Sequence, residues 1–192
     1  MEPLLIDVPE SVQTPRLVLR CPRAGDGATI NPAIHETLDA LQAWMPWSRP
    51  APTVEQTETW CRKSAAEFIA RTNLAMVMFR RDADGSAGEF VGNTGFHNID
   101  WAVPRLEIGY WVRRRFEGQG YVTEAVRALA AFAVDTLNAE RVEVRADVRN
   151  ERSWRVAERA GFRLEGVLRR DSRDPDGGVR DTRVYARVRG DA

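Results

Sequence analysis

The spacing of apolar residues predicts a run of strands in the first part of the chain. Strands are predicted at 14–20, where Leu17 and Leu19 share one face, and at 74–81, 89–99 and 105–112, and the turn "DADGSAG" joins the second of these to the third. A helix is predicted to open at the capping box "TVEQ", in which Thr53 is followed three residues later by glutamine. The stretch 24–52 before it has weak helical character and ends in "AWMPWSRPAP", which indicates either a loop over a groove or a packed structural loop.

Helices and strands alternate in the second part. Apolar residues at helical spacing predict a helix that ends near Asn138, and a strand follows at 141–147. Asn150 is expected to cap a short helix that Gly161 ends. Two strands joined by "DPDGG" close the chain, the first with alternating Phe162, Leu164 and Leu168 and the second with Val184, Ala186 and Val188. We therefore predict one α+β domain over residues 1–192, with a mixed sheet and a core spanning roughly 14–190.

The composition argues against several classes of function, namely nucleic-acid binding, membrane association and metal binding. Lys+Arg and Asp+Glu both total 28 in 192 residues, so no net charge favours nucleic acid or an acidic membrane surface. Cys21 and Cys61 do not form a CxxC pair, and the two histidines lack metal-ligand spacing. The acidic start is too short for a signal peptide, and no apolar run reaches membrane length. We expect a soluble, cytoplasmic protein without a metal.

The segment "RRRFEGQGYVTEA" (113–125) places a glycine turn between a strand and a helix. Unpaired backbone N–H groups and the helix dipole make such a turn an anion site that suits phosphate. A P-loop is excluded because no Lys-Ser or Lys-Thr follows the glycines. A dinucleotide-binding turn, which would bind NAD, fits poorly because Thr123 occupies the third glycine position. The pattern that remains is Arg-x-x-Gly-x-Gly, formed by Arg115, Gly118 and Gly120.

This pattern resembles the acyl-CoA pyrophosphate signature of the GCN5-related N-acetyltransferase (GNAT) family. "TPRLVLR", "EIGYWV" and "DVRNERSWRVAERAGFRLEG" are similar to the RimJ/RimL-type branch of ribosomal-protein N-terminal acetyltransferases, and the resemblance covers residues 14–190. It implies the GNAT fold, a single domain whose mixed β-sheet is splayed in the middle and flanked by helices. Acetyl-CoA would enter the split as cosubstrate.

The resemblance also implies cofactor contacts. Pantetheine would pair with the backbone around 111–113, the pyrophosphate would lie on the amides from Arg115 to Tyr121, and the Thr123 hydroxyl would add a contact. The implied acetyl-CoA residues are Trp111, Val112, Arg113, Arg115, Gly118, Gln119, Gly120, Tyr121, Thr123, Asn150 and Ser153.

Acetyl transfer to an amine requires removal of a proton from the ammonium, an oxyanion donor and a proton for the leaving thiolate. The oxyanion donor is expected to be a backbone N–H near Val112. Many family members use a tyrosine seven residues after the capping asparagine as the acid, but Ala157 stands there. The RimL-type branch implies Ser153 instead, with an ordinary first-turn serine as the alternative. Glu107 is the predicted base, with a solvated strand carboxylate as its alternative. Weaker candidates for the base are Asp147 and Asp171. His97 is interpreted either as a proton shuttle or as a structural histidine on a hairpin.

The predicted acceptor is an uncrowded primary amine, first of all a peptide N-terminus with a small first residue. Trp44 and Trp47 would form an aromatic wall beside it, and the acidic turn at 169–177 would hold the ammonium. A small-molecule amine such as a polyamine or an aminoglycoside is the alternative acceptor. A non-catalytic acyl-CoA sensor is the alternative from a different class. The protein is expected to be a monomer or a homodimer.

Overall fold

A single mixed sheet of eight strands forms the centre of the fold. The computed structural model describes residues 2–191, and its strand order is β1-β2-β3-β4-β5-β6-β8-β7. The strands are β1 (Ser11–Gln13), β2 (Leu17–Arg20), β3 (Leu74–Arg81), β4 (Ala87–Asp100), β5 (Arg105–Val112), β6 (Arg141–Asp147), β7 (Arg163–Arg173) and β8 (Val179–Val188). The helices are α1 (Gly27–Glu36), α2 (Leu38–Trp44), α3 (Val54–Ile69), α4 (Tyr121–Asp135) and α5 (Glu151–Arg159). The α+β class and the mixed sheet are confirmed.

The sheet splits between β5 and β6. These strands pair in parallel, and the pairing covers only Arg105–Glu107 against Arg141–Glu143. All other neighbouring strands are antiparallel. Beyond Glu107 in β5 and Glu143 in β6, the two strands no longer pair with each other, although each stays paired with its other neighbour. They diverge and leave a wedge-shaped opening between them. The splayed sheet implied by the resemblance is therefore confirmed.

Helices cover both faces of the sheet. On one face, α4 and α5 pack over the strands through fully buried residues such as Val126, Leu129 and Ala157. On the other face, Ile30 and Leu41 of α1 and α2 form a second apolar cluster. Burial of these side chains drives the docking of both helix layers.

Two local predictions differ in their outcome. The capping box at α3 is present: the Gln56 amide donates to Thr53 Oγ1 at 3.2 Å, and the Thr53 amide donates to Gln56 Oε1 at 2.9 Å. The weakly helical stretch before it instead holds two helices, α1 and α2. Pro32 lies inside α1 and interrupts the sequence signal, yet Ile30 and Ile34 are buried and hold that helix on the sheet.

The strand predicted after Gly161 is present as β7, but its alternating apolar residues do not form a buried face. Leu164 and Leu168 are 46% and 43% exposed, and only Phe162, just before the strand, is buried. β7 is the edge strand of the sheet, and its pairing with β8 shifts register twice. Such shifts break the alternation of inward and outward side chains, so the apolar spacing no longer marks a core face. Elsewhere in the chain, helix α4 ends at Asp135, three residues before the predicted end near Asn138.

Candidate active site

The glycine turn faces open space at the start of α4. Gly118 and Gly120 have φ values of 73° and 80°, a region that favours glycine, and α4 begins directly after Gly120. Apart from Gly118 and its two chain neighbours, no atom of residues 2–191 lies within 4 Å of the position that a Cβ on Gly118 would occupy. The amides of the first helical turn are therefore accessible to an anion, and the helix dipole favours one there. The geometry fits the predicted pyrophosphate site.

An arginine that the sequence reasoning missed braces this turn. Arg16, just before β2, donates from Nη1 to the Gln119 carbonyl at 3.0 Å and from Nε to Glu124 Oε2 at 2.6 Å. Its guanidinium also lies 4.5 Å from the centre of the Tyr121 ring. The three contacts fix the glycine turn against the first strands of the sheet. A separation of 103 residues leaves no local signal for this pairing.

A large cavity runs from the glycine turn along the split. Its volume is about 1590 Å³, ample for an extended cofactor. Eight of the predicted cofactor residues line it, namely Trp111, Val112, Gly118, Gly120, Tyr121, Thr123, Asn150 and Ser153. Four arginines on α4 and α5 that the sequence reasoning did not single out also line it, namely Arg127, Arg152, Arg155 and Arg159. The spacing of the last three along α5 puts them on one helical face, a signal that was available. Arg152 pairs with Glu117 and Arg155 with Glu151, so a ligand with several phosphates would compete with these two carboxylates for the guanidinium groups.

Three predicted cofactor residues do not line this cavity. Arg113 donates from Nε to Glu36 at 2.6 Å, and the Arg115 guanidinium pairs with Glu89. The Gln119 side chain donates to the Arg115 carbonyl at 2.8 Å. Their side chains thus hold the loop between β5 and α4 in place. A contact of these three residues with a cofactor stays a prediction.

The free edge of β5 presents backbone groups to the split. The Arg113 amide donates to the Val91 carbonyl of β4 at 2.8 Å. Amides of successive residues point to opposite sides of a strand, so the Val112 amide points away from β4 and into the split. Within residues 2–191, no strand pairs with this side of β5 at Val112, since the pairing with β6 ends at Glu107. Val112 can therefore pair with a strand-like ligand or donate to an oxyanion, whereas the Arg113 amide is already used.

A second, smaller cavity meets the large one within the split. Its volume is about 180 Å³, and its lining includes His97, Glu107 and Gly109. Five residues line both cavities and so mark the junction, namely Trp44, Met45, Tyr110, Asn150 and Ser153. A thioester in the large cavity and an amine in the small one would meet at this junction.

Ser153 lies at the junction in a defined hydrogen-bond arrangement. Its amide donates to Asn150 Oδ1 at 3.2 Å, which confirms Asn150 as the helix cap. The Tyr110 hydroxyl donates to the Ser153 carbonyl at 2.9 Å, and Ser153 Oγ lies 3.3 Å from the same hydroxyl. Burial raises the pKa of Tyr110 to about 12, so this hydroxyl stays protonated. Tyr110 was not singled out from the sequence, because only the fold brings it to α5.

Glu107 lies at the last paired position before the split. Its Oε1 is 3.2 Å from His97 Nε2, and its Oε2 accepts from Asn98 Nδ2 at 2.9 Å. Burial opposes ionisation, but the hydrogen bonds from His97 and Asn98 outweigh it and lower the pKa of Glu107 below its ordinary value. The structure thus brings together Glu107 and His97, two residues that the sequence treated as separate candidates.

The other candidate acids are held by arginines. Asp147, only 4% exposed, binds Arg149 at 2.6 Å, and Arg149 also binds Asp174 at 3.1 Å. Arg145 binds Asp171 at 3.2 Å. A further ion pair joins Asp176 to Arg49 at 2.5 Å. The acids of the 169–177 turn are therefore neutralised, and the prediction that they hold the ammonium is not supported.

Comparison with known proteins identifies the family. The model of the acetyltransferase (GNAT) domain matches residues 16–163, well over half of the chain. The chain belongs to the GNAT acetyltransferase family. It is 30% identical to the ribosomal-protein-serine acetyltransferase of Escherichia coli over 159 residues, 81% of this chain and 85% of that protein. The chain spans about half the length of two Bacillus relatives, YdaF of Bacillus subtilis (43% identity over 82 residues) and p20 of Bacillus licheniformis (36% over 81).

Solved structures agree on the GNAT fold. The microcin C7 self-immunity acetyltransferase MccE, solved with acetyl-CoA and AMP, matches with a TM-score of 0.85 and 23% identity over 94% of this chain and 97% of that one. RimL, the ribosomal L7/L12 α-N-protein acetyltransferase, solved with coenzyme A, matches with a TM-score of 0.84 and 22% identity over 93% and 98%. The GNAT fold and the RimJ/RimL-type resemblance are confirmed.

No helix within residues 2–191 is both long and apolar enough to span a bilayer. Over the same range, no group of three or more His, Cys, Asp or Glu side chains is arranged to hold a metal ion.

Proposed function

We propose that the protein is an acetyl-CoA-dependent N-acetyltransferase that acts on the primary amine of a peptide N-terminus. The observation that supports this most directly is the junction of the two cavities at Ser153 and Tyr110. The large cavity carries the accessible glycine turn and the arginines that suit a phosphorylated cosubstrate. The small cavity carries the Glu107 carboxylate, towards which an ammonium would be drawn.

The chemistry is direct transfer within a ternary complex. Acetyl-CoA supplies an activated acyl group as a thioester. The Val112 amide donates to the oxyanion that develops on the acyl carbonyl. Ser153 gives a proton to the departing sulfur, and Tyr110 holds the backbone of that serine. Glu107 provides the negative charge on which deprotonation of the amine depends. No covalent enzyme intermediate is needed, and the buried Cys21 and Cys61 have raised thiol pKa values, which makes them poor nucleophiles.

The acceptor follows from the size and lining of the small cavity. A volume of about 180 Å³ suits a small group, such as the first residue of a peptide that begins with serine or alanine. Trp44 and Met45 at its mouth offer apolar surface beside an extended backbone. The similarity to the Escherichia coli ribosomal-protein-serine acetyltransferase supports a protein N-terminus in the cytoplasm. The same volume also admits a compact free amine, which makes a small-molecule acceptor the second candidate.

Competition for limiting acetyl-CoA tests the acceptor. The enzyme receives a Ser-initiated peptide, the same peptide blocked at its N-terminus but containing lysine, and a polyamine. We expect the acetyl group on the α-nitrogen of the Ser-initiated peptide. Preferential labelling of the polyamine would favour the small-molecule function, and labelling of the lysine would contradict both candidates. Binding of coenzyme A without transfer to any amine would leave the protein as an acyl-CoA sensor.

A further inference from the structure

A histidine and a carboxylate form a pair at the closed end of the split. His97 of β4 and Glu107 of β5 are opposite each other in the strand register, and His97 Nε2 lies 3.2 Å from Glu107 Oε1. Both side chains line the smaller cavity. We propose that His97 is the general base of the transfer and that Glu107 is a positioning residue that holds its imidazole. This inference rests on the proposed function.

Glu107 is built to accept hydrogen bonds rather than to take up a proton. Oε1 faces His97, and Oε2 accepts from Asn98 Nδ2 at 2.9 Å. The side chain is only 14% exposed, and its pKa is lowered because these hydrogen bonds outweigh the effect of burial. A carboxylate that stays ionised and has both oxygens engaged is a weak base. It is, however, well suited to fix the tautomer of an adjacent imidazole.

The orientation of the ring leaves its other nitrogen free. A neutral imidazole that donates its Nε2–H to Glu107 has a lone pair on Nδ1. The Cε1–Nδ1 edge of the ring lies over Gly109: a Cβ at that position would be 2.9 Å from Cε1 and 3.3 Å from Nδ1 of His97. Gly109 also lines the smaller cavity. Along β5 it lies two residues after Glu107 and two residues before Trp111, which lines the cavity proposed for the cofactor. The free nitrogen thus lies where an amine would approach.

The backbone around His97 is irregular in a way that serves this arrangement. Gly95 and Asn98 have φ values of 132° and 48°, and the pairing of β4 with β5 shifts register between His97 and Asp100. A positive φ is uncommon for a residue other than glycine and tends to occur where function requires it. Here it brings the Asn98 amide to the second oxygen of Glu107.

The neighbouring charged groups leave His97 as the group suited to proton transfer. On β6, Arg145 is a permanent cation that binds Asp171, and Asp147 is held by Arg149. Arg180 of β8 lines the same cavity and is also a permanent cation, whereas Tyr110 stays protonated. Imidazole is the side chain that ordinarily changes charge between about pH 5 and 8. The His97 side chain is 40% exposed, so a proton taken from the amine can pass on to solvent.

Atoms and charges balance in the resulting step. One ammonium proton moves to Nδ1 of His97, and the neutral nitrogen attacks the acyl carbon. The C–N bond forms and the C–S bond breaks. Ser153 gives a proton to sulfur and regains one from the acylated nitrogen. The products are the amide, the free thiol and an imidazolium, which returns its proton to water.

Substitution with chemical rescue tests the assignment. His97→Ala should lower kcat by about 100-fold while the affinity for coenzyme A stays unchanged, and added imidazole should restore part of the rate. Glu107→Gln should lower kcat without rescue by imidazole. His35→Gln, which alters the other histidine, should behave as wild type, because His35 is exposed and bonds only Pro52. A full rate in His97→Ala would overturn the proposal. It would also be overturned if His97→Ala loses activity that imidazole does not restore while Glu107→Gln is inactive, because Glu107 itself would then be the base.

A nitrogen NMR measurement keeps the pair testable even if no amine is acetylated. The protein has two histidines, so His35→Gln leaves His97 as the single imidazole in the spectrum. We expect neutral His97 to carry its proton on Nε2, and Glu107→Gln to weaken that preference. A proton on Nδ1 in the presence of Glu107 would overturn the inference. An inactive enzyme with the expected tautomer would show that the proposed function fails while the pair is correctly described.

Discussion

Glu124 connects the glycine turn to the first strands, and replacing it with glutamine probes that connection. Its Oε1 accepts from Thr14 Oγ1 at 2.6 Å and from the Arg16 amide at 2.9 Å, and its Oε2 accepts from Arg16 Nε at 2.6 Å. Glutamine has nearly the same shape but lacks the charge, and its NH₂ group would face the Arg16 guanidinium. Glu124→Gln should therefore destabilise the fold and loosen the turn that is proposed to bind the pyrophosphate.

The magnitude follows from these contacts. Hydrogen bonds to a charged group contribute about 1.5–3 kcal/mol and neutral ones about 0.5–1.5, so each weakened bond costs about 1 kcal/mol. The Arg16 side chain is 46% exposed, so the ion pair itself contributes at most about 1 kcal/mol. The two weakened bonds to Oε1 account for about 2 kcal/mol, and solvent screening leaves the exposed ion pair with little to add, so we expect a loss of about 2 kcal/mol in the free energy of unfolding at neutral pH. For a chain of this size, that loss lowers the melting temperature by about 4–8 °C.

The pH dependence of stability tests whether the charge of Glu124 causes this loss. Burial opposes ionisation of Glu124, but the hydrogen bonds from Thr14 and Arg16 outweigh it and lower its pKa in the folded state. The stabilisation is therefore complete above the pKa of the unfolded chain and is lost as pH falls through the folded value. Urea unfolding of wild type and Glu124→Gln should differ at pH 7 and converge at acidic pH. Glu67→Gln, which removes an exposed pair with Lys63, is the control and should change stability by less than about 0.5 kcal/mol. Equal losses in both variants, or a difference independent of pH, would refute the reasoning.

Three further predictions concern the two cavities. Coenzyme A at ~100 times its Kd should stabilise the protein by ~2.7 kcal/mol. Gly118→Val or Gly120→Val should abolish this stabilisation in thermal melts. Normal binding of coenzyme A by both variants would exclude the turn as the pyrophosphate site. Ser153→Ala should lower kcat by ~100-fold with unchanged affinity for coenzyme A, and an unchanged rate would return Ser153 to a structural role. Tyr110→Phe should destabilise the fold by about 1 kcal/mol, measured by urea unfolding, because the Ser153 carbonyl loses its donor; unchanged stability would show that the bond contributes nothing.

Features with a local cause were predicted well from the sequence. The capping box at Thr53 and the cap at Asn150 depend on residues within one helical turn, and both are present. The positive φ values of Gly118 and Gly120 follow from the glycine pattern itself. The apolar residues of 74–81 and 105–112 marked β3 and β5 closely, because these strands are central and pair on both sides over at least part of their length.

Features that depend on long-range geometry were not predicted. The Arg16–Glu124 pair joins residues 108 positions apart. The pairing of His97 with Glu107 depends on the register of β4 against β5, including the shift at Asn98, which no local pattern encodes. The acids near Asp174 were predicted to bind a cation. The arginines that bind them, Arg49 and Arg149, lie on other segments of the chain, so the sequence around Asp174 gives no sign of them. Net charge conceals such pairing, since a neutral chain can hold its charges paired or separated.

The central claim is that an acyl group held at the glycine turn meets an amine at the junction beside Ser153. The most direct measurement is mass spectrometry of a Ser-initiated peptide incubated with acetyl-CoA and the protein, with free thiol measured in the same reaction. We expect one acetyl group on the α-nitrogen, thiol release in equal amount, and a ~100-fold lower rate of both in Ser153→Ala although coenzyme A still binds. Thiol release without an acetylated amine, or full peptide acetylation by Ser153→Ala and by Gly118→Val alike, would contradict it.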